Sequence, residues 1–255
     1  TPVIGIVYFL AESLEFIKFE AFLLFCYVSQ KALNLQFIFL REDSVYPIRI
    51  GGGGMIYITG DCHGNFKRFT KKQRNKYPYE ITEQDYMIIC GDFGLLWSKD
   101  KELEYNLDWM SRLPFTLLWV QGNHENYNMI EKLPEVEMFG GKVLKVSKNI
   151  FYLKRGHFYN IEGKDFLVLG GAESHDKEWR KLNVNLWEQE LWSDEEENAC
   201  LSRISEYFKE KGNHVDYIVS HTGSIDGIAC IESSCDDPKY RAIYEEDKTV
   251  RFNNK

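Results

Sequence analysis

The stretch FTLLWVQGNHE, residues 115–125, contains the two patterns that decide the fold. Residues 115–120 are an apolar run with the length of a buried strand, and residues 121–125 are a polar turn that contains glycine. The run predicts a strand that delivers Asn123, His124 and Glu125 to the rim of a sheet. An amide, an imidazole and a carboxylate at one strand end are candidate metal-binding or catalytic groups.

Four more apolar runs end in the same way, in a turn that contains glycine or a histidine. They predict strands at residues 55–59, 86–90, 166–169 and 216–219. Three of these runs are followed by carboxylates or imidazoles that can bind a metal, namely Asp61, His63, Asp92 and His221. Because sites in open α/β sheets form beyond the carboxyl ends of the strands, we expect these side chains to meet Asn123 and His124.

Helical patterns between the strands predict an α/β fold. The helical segments are residues 65–76, 99–112, 126–133 and a helix with a capping box at Ser193 that stops at Gly212. The basic residues of segment 65–76 either form a solvated helix face or bind an anionic substrate. Residues 142–161 predict short antiparallel strands.

The composition argues against a nucleic-acid partner and indicates the cellular compartment. The chain has 255 residues and a formal net charge of −8, which argues against binding to a nucleic-acid backbone, because that surface selects for clustered Lys and Arg. A phosphate substrate remains compatible, since a bound metal supplies positive charge locally. The six cysteines show no CxxC pair and predict reduced thiols of a cytoplasmic protein.

Residues 1–54 differ in character from the rest of the chain. Charged residues interrupt their apolar runs, so no run reaches the roughly 20 apolar residues of a membrane span. Four glycines at residues 51–54 predict a flexible joint. We predict an extension over residues 1–54 and a domain over residues 55–255. The extension is either upstream sequence read through in frame, a natural amphipathic segment, or a membrane-associating segment; without it, no membrane contact is expected.

The candidate ligands suit a transition metal. Carboxylate, imidazole and amide ligands fit Mn, Fe or Zn better than Ca or Mg alone. Asp61 and His63 are two residues apart, and on an extended chain that spacing turns both side chains to one side and Cys62 to the other. Asp92 is the natural candidate to bridge two cations. Two cations roughly 3.5–4 Å apart can hold a bridging hydroxide and bind the oxygens of a phosphoryl group.

Five motifs, in this order, resemble the calcineurin-like metallophosphoesterases, and in particular bacterial and phage-like members. They are Gly-Asp-Cys-His-Gly at 60–64, Gly-Asp-Phe-Gly at 91–94, Gly-Asn-His-Glu at 122–125, Gly-Gly-Ala at 170–172 and Ser-His-Thr at 220–222. The resemblance covers residues 55–225. It implies a four-layer α/β sandwich of mixed sheets flanked by helices. It also implies a dinuclear metal centre that hydrolyses phosphomonoesters or phosphodiesters.

The resemblance also assigns the metal ligands. It implies that Asp61, His63 and Asp92 hold one metal ion, and that Asp92, Asn123 and His221 hold a second. The cofactors would be two divalent ions, with Mn preferred and Fe, Zn or Ni as alternatives.

Catalytic and substrate-binding roles follow from the same resemblance. His124 would stabilise the transition state or protonate the leaving oxygen rather than bind metal, with Glu125 as its orienting partner. Arg180 would contact the substrate phosphate, or else form a structural ion pair with Asp176.

The sequence departs from the family pattern at its end. The family closes with Gly-His-x-His, which gives one further ligand to each metal, and this chain has no such motif. His221 matches the single-histidine motif that precedes Gly-His-x-His in the family. His157 is predicted to lie in a hairpin outside the site. We therefore predict a C-terminally incomplete domain. The alternative to an active phosphoesterase is a catalytically impaired or non-catalytic scaffold.

Overall fold

The computed structural model describes most of the domain that the sequence predicts. The described residues are 3–9, 34–40, 45–49, 54–172, 174, 176–212 and 214–221. Residues 51–53 of the predicted joint and three cysteines (Cys26, Cys230 and Cys235) lie outside them. The other three cysteines (Cys62, Cys90 and Cys200) are buried, and none of them forms a disulfide with another described residue. No helix in the described part of the chain is long and apolar enough to cross a membrane.

Strands and helices alternate along most of the described chain. The strands are β1 Val3–Phe9, β2 Asn34–Leu40, β3 Val45–Arg49, β4 Met55–Thr59, β5 Tyr86–Cys90, β6 Thr116–Val120, β7 Glu135–Met138, β8 Gly141–Lys145, β9 Ile150–Leu153, β10 His157–Ile161, β11 Lys164–Val168 and β12 Tyr217–Ser220. The α-helices span Lys71–Arg74, Lys101–Met110, Tyr127–Ile130 and Asp194–Lys211. Short 3₁₀ turns span Lys67–Phe69, Lys177–Trp179 and Glu188–Glu190.

The strands form two mixed sheets. The larger sheet has seven strands in the order β3-β4-β5-β6-β9-β8-β7, and its central strands β4, β5, β6 and β9 are parallel. The smaller sheet has five strands in the order β10-β11-β12-β1-β2, and only β10 is antiparallel to its neighbour. Parallel strands need covered faces, which explains why the central strands are continuous apolar runs.

Alternate residues of the central strands point into different layers of the core. On β4, Ile56 and Ile58 pack between the two sheets, where they meet Val168 of β11 and Val219 of β12. Tyr57 lies on the opposite face of the larger sheet. That face is covered by the helix Lys101–Met110 and its neighbouring loops. The helix Asp194–Lys211 covers the outer face of the smaller sheet. The result is helix, sheet, sheet and helix, which confirms the predicted four-layer α/β sandwich.

The structure corrects two local predictions. Residues 65–76 do not form one surface helix, because Phe66 and Phe69 turn into the core and Thr70 is extended between a 3₁₀ turn and a single helical turn. The strands of residues 142–161 are not all antiparallel. Strand β9 pairs in parallel with β6, while β8 and β10 have antiparallel partners.

Two leucines test the inter-sheet core. Leu118 on β6 is fully buried between the sheets, and Leu182 is 48% exposed. Leu118→Ala is expected to lower the free energy of unfolding by about 2–5 kcal/mol, because it removes buried methyl groups and leaves a cavity. Leu182→Ala, the matched control, should change it by less than about 1 kcal/mol. Urea unfolding measures both, and equal losses would contradict the assigned core.

Candidate metal centre

The ends of four strands bring the candidate ligands together. β4, β5 and β6 are parallel neighbours, so the loops after them, with Asp61, Asp92 and Asn123, leave the same edge of the larger sheet. His221 follows β12, which belongs to the smaller sheet. His221 therefore reaches the other candidate ligands from a different sheet. The site lies where the carboxyl ends of strands from both sheets meet.

The turn after β4 is not extended, which corrects the argument from spacing. His63 has a left-handed backbone, with φ of 44°. The backbone N–H groups of Cys62 and His63 donate to the Asp92 carbonyl, at 2.9 and 2.8 Å. This pair of hydrogen bonds brings His63 beside Asp61. Cys62 is buried in the core, as predicted.

Arg68 stabilises the turn after β4 from its buried side. Its guanidinium is buried and donates to the Thr59 hydroxyl at 2.6 Å and to the carbonyls of Gly60 and Asp61 at 2.9 and 2.5 Å. Sequence reasoning grouped this arginine with a solvated basic run. Nothing in the local pattern separates it from the exposed lysines nearby, because its partners are mostly backbone groups.

His63 and His221 lie on either side of the two aspartates. His63 Nε2 is 3.3 Å from Asp61 Oδ2 and 3.7 Å from Asp92 Oδ2. His221 Nε2 is 2.9 Å from Asn123 Oδ1 and 3.7 Å from Asp92 Oδ1, and its Nδ1 is 3.6 Å from Asp61 Oδ1. His221 is fully buried, whereas the His63 side chain is 48% exposed. One side of the site therefore faces solvent.

Two groups of side chains are close enough to hold a metal ion. One consists of Asp61, Asp92 and His221, and the other of His63, Asp92 and His124; within each, the ligand atoms lie within 4.8 Å of one another. Asp92 belongs to both groups, as a bridging carboxylate would. The assignment of each residue to one metal, taken from the resemblance, stays a prediction.

The described residues fit a divalent cation. Asp61 Oδ1 is buried and has no hydrogen-bond partner among the described residues. A buried carboxylate oxygen without a donor is unfavourable, and burial accordingly raises the pKa of Asp61. A cation between Asp61, Asp92 and the imidazoles would satisfy this oxygen. Carboxylate and imidazole ligands suit several transition metals equally.

Two glycines leave room for the ligands. A Cβ at Gly91 would overlap the His221 ring, and a Cβ at Gly122 would overlap the carboxylate of Asp92. Gly91 also has φ of 89°, and Asp92, the next residue, has φ of 50°. The chain thus makes a left-handed turn at Gly91 and Asp92, where glycine is the residue that fits beside histidine.

A buried chain of hydrogen bonds orients the Asn123 amide. Asn123 Nδ2 donates to the Ser174 hydroxyl at 3.1 Å, and that hydroxyl donates to Glu190 Oε2 at 2.6 Å. All three side chains are buried. With its nitrogen held by Ser174, the amide turns its oxygen toward His221. Sequence reasoning missed Glu190, because it lies far along the chain from Asn123 in a segment with no recognisable pattern.

Arg180 lies against His124. Its Nη2 is 2.6 Å from Nδ1 and 2.9 Å from Nε2 of the imidazole. Asp176 holds the guanidinium through an ion pair of 2.7 Å to Nε, and Nη1 donates to the Asn185 carbonyl at 3.0 Å. The predicted Asp176 ion pair is therefore present. Burial lowers the pKa of His124, and the positive charge of Arg180 lowers it further, so the neutral imidazole is favoured.

Glu125 does not orient His124, which corrects its assigned role. Its Oε1 accepts hydrogen bonds from Trp119 Nε1 at 2.8 Å and from the backbone N–H of Phe93 at 3.3 Å. The side chain is turned into the core, and burial raises its pKa well above the usual range. Glu125 instead connects the turn after β6 to the Asp92 turn. His157, on β10, belongs to neither ligand group among the described residues.

Comparison with protein families agrees with this geometry. Residues 54–250 match the family model described as calcineurin-like phosphoesterase, which is most of the chain. The chain belongs to this family. Membership implies a hydrolase that acts on phosphoesters and binds divalent metal ions. Comparisons with curated proteins and with solved structures found no match.

Gly122→Ala tests the close approach to Asp92. The new Cβ would displace the carboxylate, so affinity for Mn²⁺, measured by titration calorimetry, is expected to fall about tenfold or more. Gly163→Ala is the control, because Gly163 has φ of 78° in open space. It should lower stability by about 1–2 kcal/mol and leave Mn²⁺ binding unchanged. Equal Mn²⁺ affinity in both variants would contradict the assigned contact.

Ser174→Ala tests the orientation of Asn123. Without the hydroxyl, the amide loses the group that fixes its nitrogen, and Mn²⁺ affinity is expected to fall about 10–100-fold. Ser202→Ala, on the exposed face of the helix Asp194–Lys211, is the matched control; its hydroxyl bonds only to the Asn198 carbonyl. A Ser174→Ala protein that binds Mn²⁺ as tightly as the Ser202→Ala protein would refute this role.

Proposed function

We propose that the chain hydrolyses phosphoesters with a dinuclear centre of two divalent cations. One cation would be held by Asp61, His63 and Asp92, and the other by Asp92, Asn123 and His221. The observation that carries the proposal is the buried Asp92 carboxylate, which belongs to both groups of close ligand atoms and lies beside the unsatisfied oxygen of Asp61. Those two groups divide the other ligands differently from the proposed sets, and one of them contains His124. Mn is the preferred ion, with Fe, Zn or Ni as alternatives.

The cations, when bound, would supply an activated water as nucleophile and positive charge for the phosphoryl oxygens. The substrate phosphate would enter from the exposed side of His63, since His221 and Asp92 are buried. The centre would thus meet its substrate at one open face. Both monoesters and diesters fit this arrangement.

His124 would act on the reacting phosphate rather than on a metal. Its ring packs edge-on against that of His63, with 5.4 Å between ring centroids, so it lies beside the centre. Burial and Arg180 favour the neutral ring, and nearby cations would favour it further. A neutral imidazole has one N–H, which can donate to a phosphoryl oxygen or to the leaving oxygen. Arg180 would fix the ring orientation, and its remaining positive charge would attract the phosphate.

The direct test is hydrolysis of p-nitrophenyl phosphate and of bis(p-nitrophenyl) phosphate, measured with Mn²⁺ and after chelation. Activity with Mn²⁺ and none after chelation is expected. His124→Ala should lower kcat about 10²–10⁴-fold while the bound Mn²⁺, measured by elemental analysis, stays at two per chain. Asp92→Asn should lose both metal and activity, because both ligand groups contain Asp92.

His157→Ala is the matched histidine control and should retain activity, because His157 lies on β10 outside both ligand groups. Loss of Mn²⁺ in His124→Ala would show that His124 is a ligand. Stoichiometric Mn²⁺ without hydrolysis of either ester would refute the proposed activity and favour the non-catalytic scaffold.

A further inference from the structure

A cavity of about 330 Å³ opens beside the exposed side of the metal centre. His63 and His124 form one wall of it. The opposite wall is formed by the loop after β5 and by the start of the helix Lys101–Met110. Pockets for small molecules are typically about 300–1,000 Å³, so this cavity has room for one small organic group. A group bonded to a phosphate at the centre would extend into it.

Part of the cavity wall is apolar and aromatic. Phe66 and Leu95 are buried there, and Trp97 is 41% exposed. The Trp97 ring packs edge-on against Trp187, with 5.8 Å between centroids, and the Trp97 carbonyl accepts a hydrogen bond from Asn126 Nδ2 at 2.7 Å. Trp97 is thus held in place while part of its surface remains open. A fixed, open indole favours contact with a flat apolar group.

Among the other lining side chains, Leu103 is apolar and four are polar or acidic. These four are Ser98, Asn106, Asp100 and Glu102. Asp100 accepts hydrogen bonds from the Ser98 hydroxyl and from the Leu103 N–H, the latter at 2.9 Å, and these bonds hold its pKa below the usual value. The described lining residues include no lysine or arginine. The carboxylates of Asp100 and Glu102 therefore disfavour a negatively charged occupant.

We infer that this cavity receives the leaving group of the substrate, and that this group is an aromatic alcohol that carries no negative charge. The inference rests on the proposed phosphoester hydrolysis and adds the substrate class. Trp97 and Phe66 would contact the ring, and Asp100 and Glu102 would favour a neutral or cationic substituent. Substrates whose leaving group carries further phosphates or carboxylates would be rejected by the same two side chains.

The reaction is a hydrolysis in which the atoms balance without a further reagent. The oxygen of water forms a bond to phosphorus, and the bond from phosphorus to the aromatic oxygen breaks. The departing oxygen takes up a proton, and the phosphate product keeps the oxygen of the water. His124 borders both the centre and the cavity, so its N–H is placed to donate to the departing oxygen.

Three aryl phosphates that differ in one substituent test the inference with the full chain and Mn²⁺. They are 4-(aminomethyl)phenyl, 4-methylphenyl and 4-(carboxymethyl)phenyl phosphate, each also prepared as its methyl diester so that a diesterase is tested equally. The value of kcat/KM is expected to be about tenfold lower for the carboxymethyl than for the aminomethyl compound. The methyl compound should lie between them.

Variants of the lining residues test whether the cavity causes this difference in kcat/KM. Glu102→Gln should narrow the difference in kcat/KM between the aminomethyl and carboxymethyl substrates. Glu104→Gln removes an exposed charge on the same helix outside the cavity, and it should leave that difference unchanged. Trp97→Ala should raise KM for all three aryl substrates several-fold. Its control is Trp179→Ala, since Trp179 is 86% exposed and does not line the cavity.

Binding of the free alcohols separates this inference from the proposed activity. Saturation-transfer NMR of the metal-free chain should detect 4-(aminomethyl)phenol in preference to 4-hydroxyphenylacetate, and Trp97→Ala should abolish the signal. Equal kcat/KM for the three aryl phosphates, or a charge preference as large in Glu102→Gln as in the unmodified chain, would overturn the inference and leave the proposed activity standing. No hydrolysis of any ester, together with Trp97-dependent binding of the amine, would overturn the activity and support the cavity's preference.

Discussion

Asp92 connects the loops on which the site depends. Its carbonyl accepts the N–H groups of Cys62 and His63, and its carboxylate accepts the His124 N–H at 2.7 Å. The left-handed backbone at Asp92 and the missing side chain at Gly122 make these contacts possible together. The turns after β4, β5 and β6 are therefore held by one residue. Any shift of Asp92 moves ligands on both neighbouring strands.

This arrangement concentrates negative charge in a buried place. Asp61, Asp92 and Glu125 are each at least 95% buried. Glu125 is compensated by the Trp119 indole and the Phe93 N–H, but Asp61 Oδ1 has no donor in the described part of the chain. Buried carboxylates destabilise a fold unless a donor or a positive charge compensates them. A cation that binds the folded chain would supply that charge and stabilise the fold through mass action.

The sequence predicted the parts of the site that depend on local patterns. Each central strand is an apolar run followed by a polar turn, so the positions of Asp61, Asp92 and Asn123 at strand ends follow from the order of residues alone. Periodicity carries no information about which sheet a strand joins, so the sequence did not show that His221 reaches the site from the smaller sheet.

The contacts that sequence reasoning missed follow no local sequence pattern. Glu190 is connected to Asn123 only through Ser174, and Arg68 bonds to backbone carbonyls that leave no trace in the sequence. Glu125 was assigned to its neighbour His124, although its hydrogen-bond donors are Trp119 on β6 and the backbone N–H of Phe93 after β5. Local motifs thus identified the candidate ligands but not the groups that hold them.

The position of His221 has a consequence for how the protein acquires its site during synthesis. His221 lies 131 residues after Cys90, whose carbonyl it contacts at 2.7 Å. The loops after β4, β5 and β6 leave the ribosome long before β12, because synthesis runs at about 5–20 residues per second. A nascent chain that ends before β12 carries the aspartates without their buried imidazole. The set of candidate ligands therefore comes together only after nearly all of the described chain has emerged, and unfinished chains are expected to lack the proposed activity.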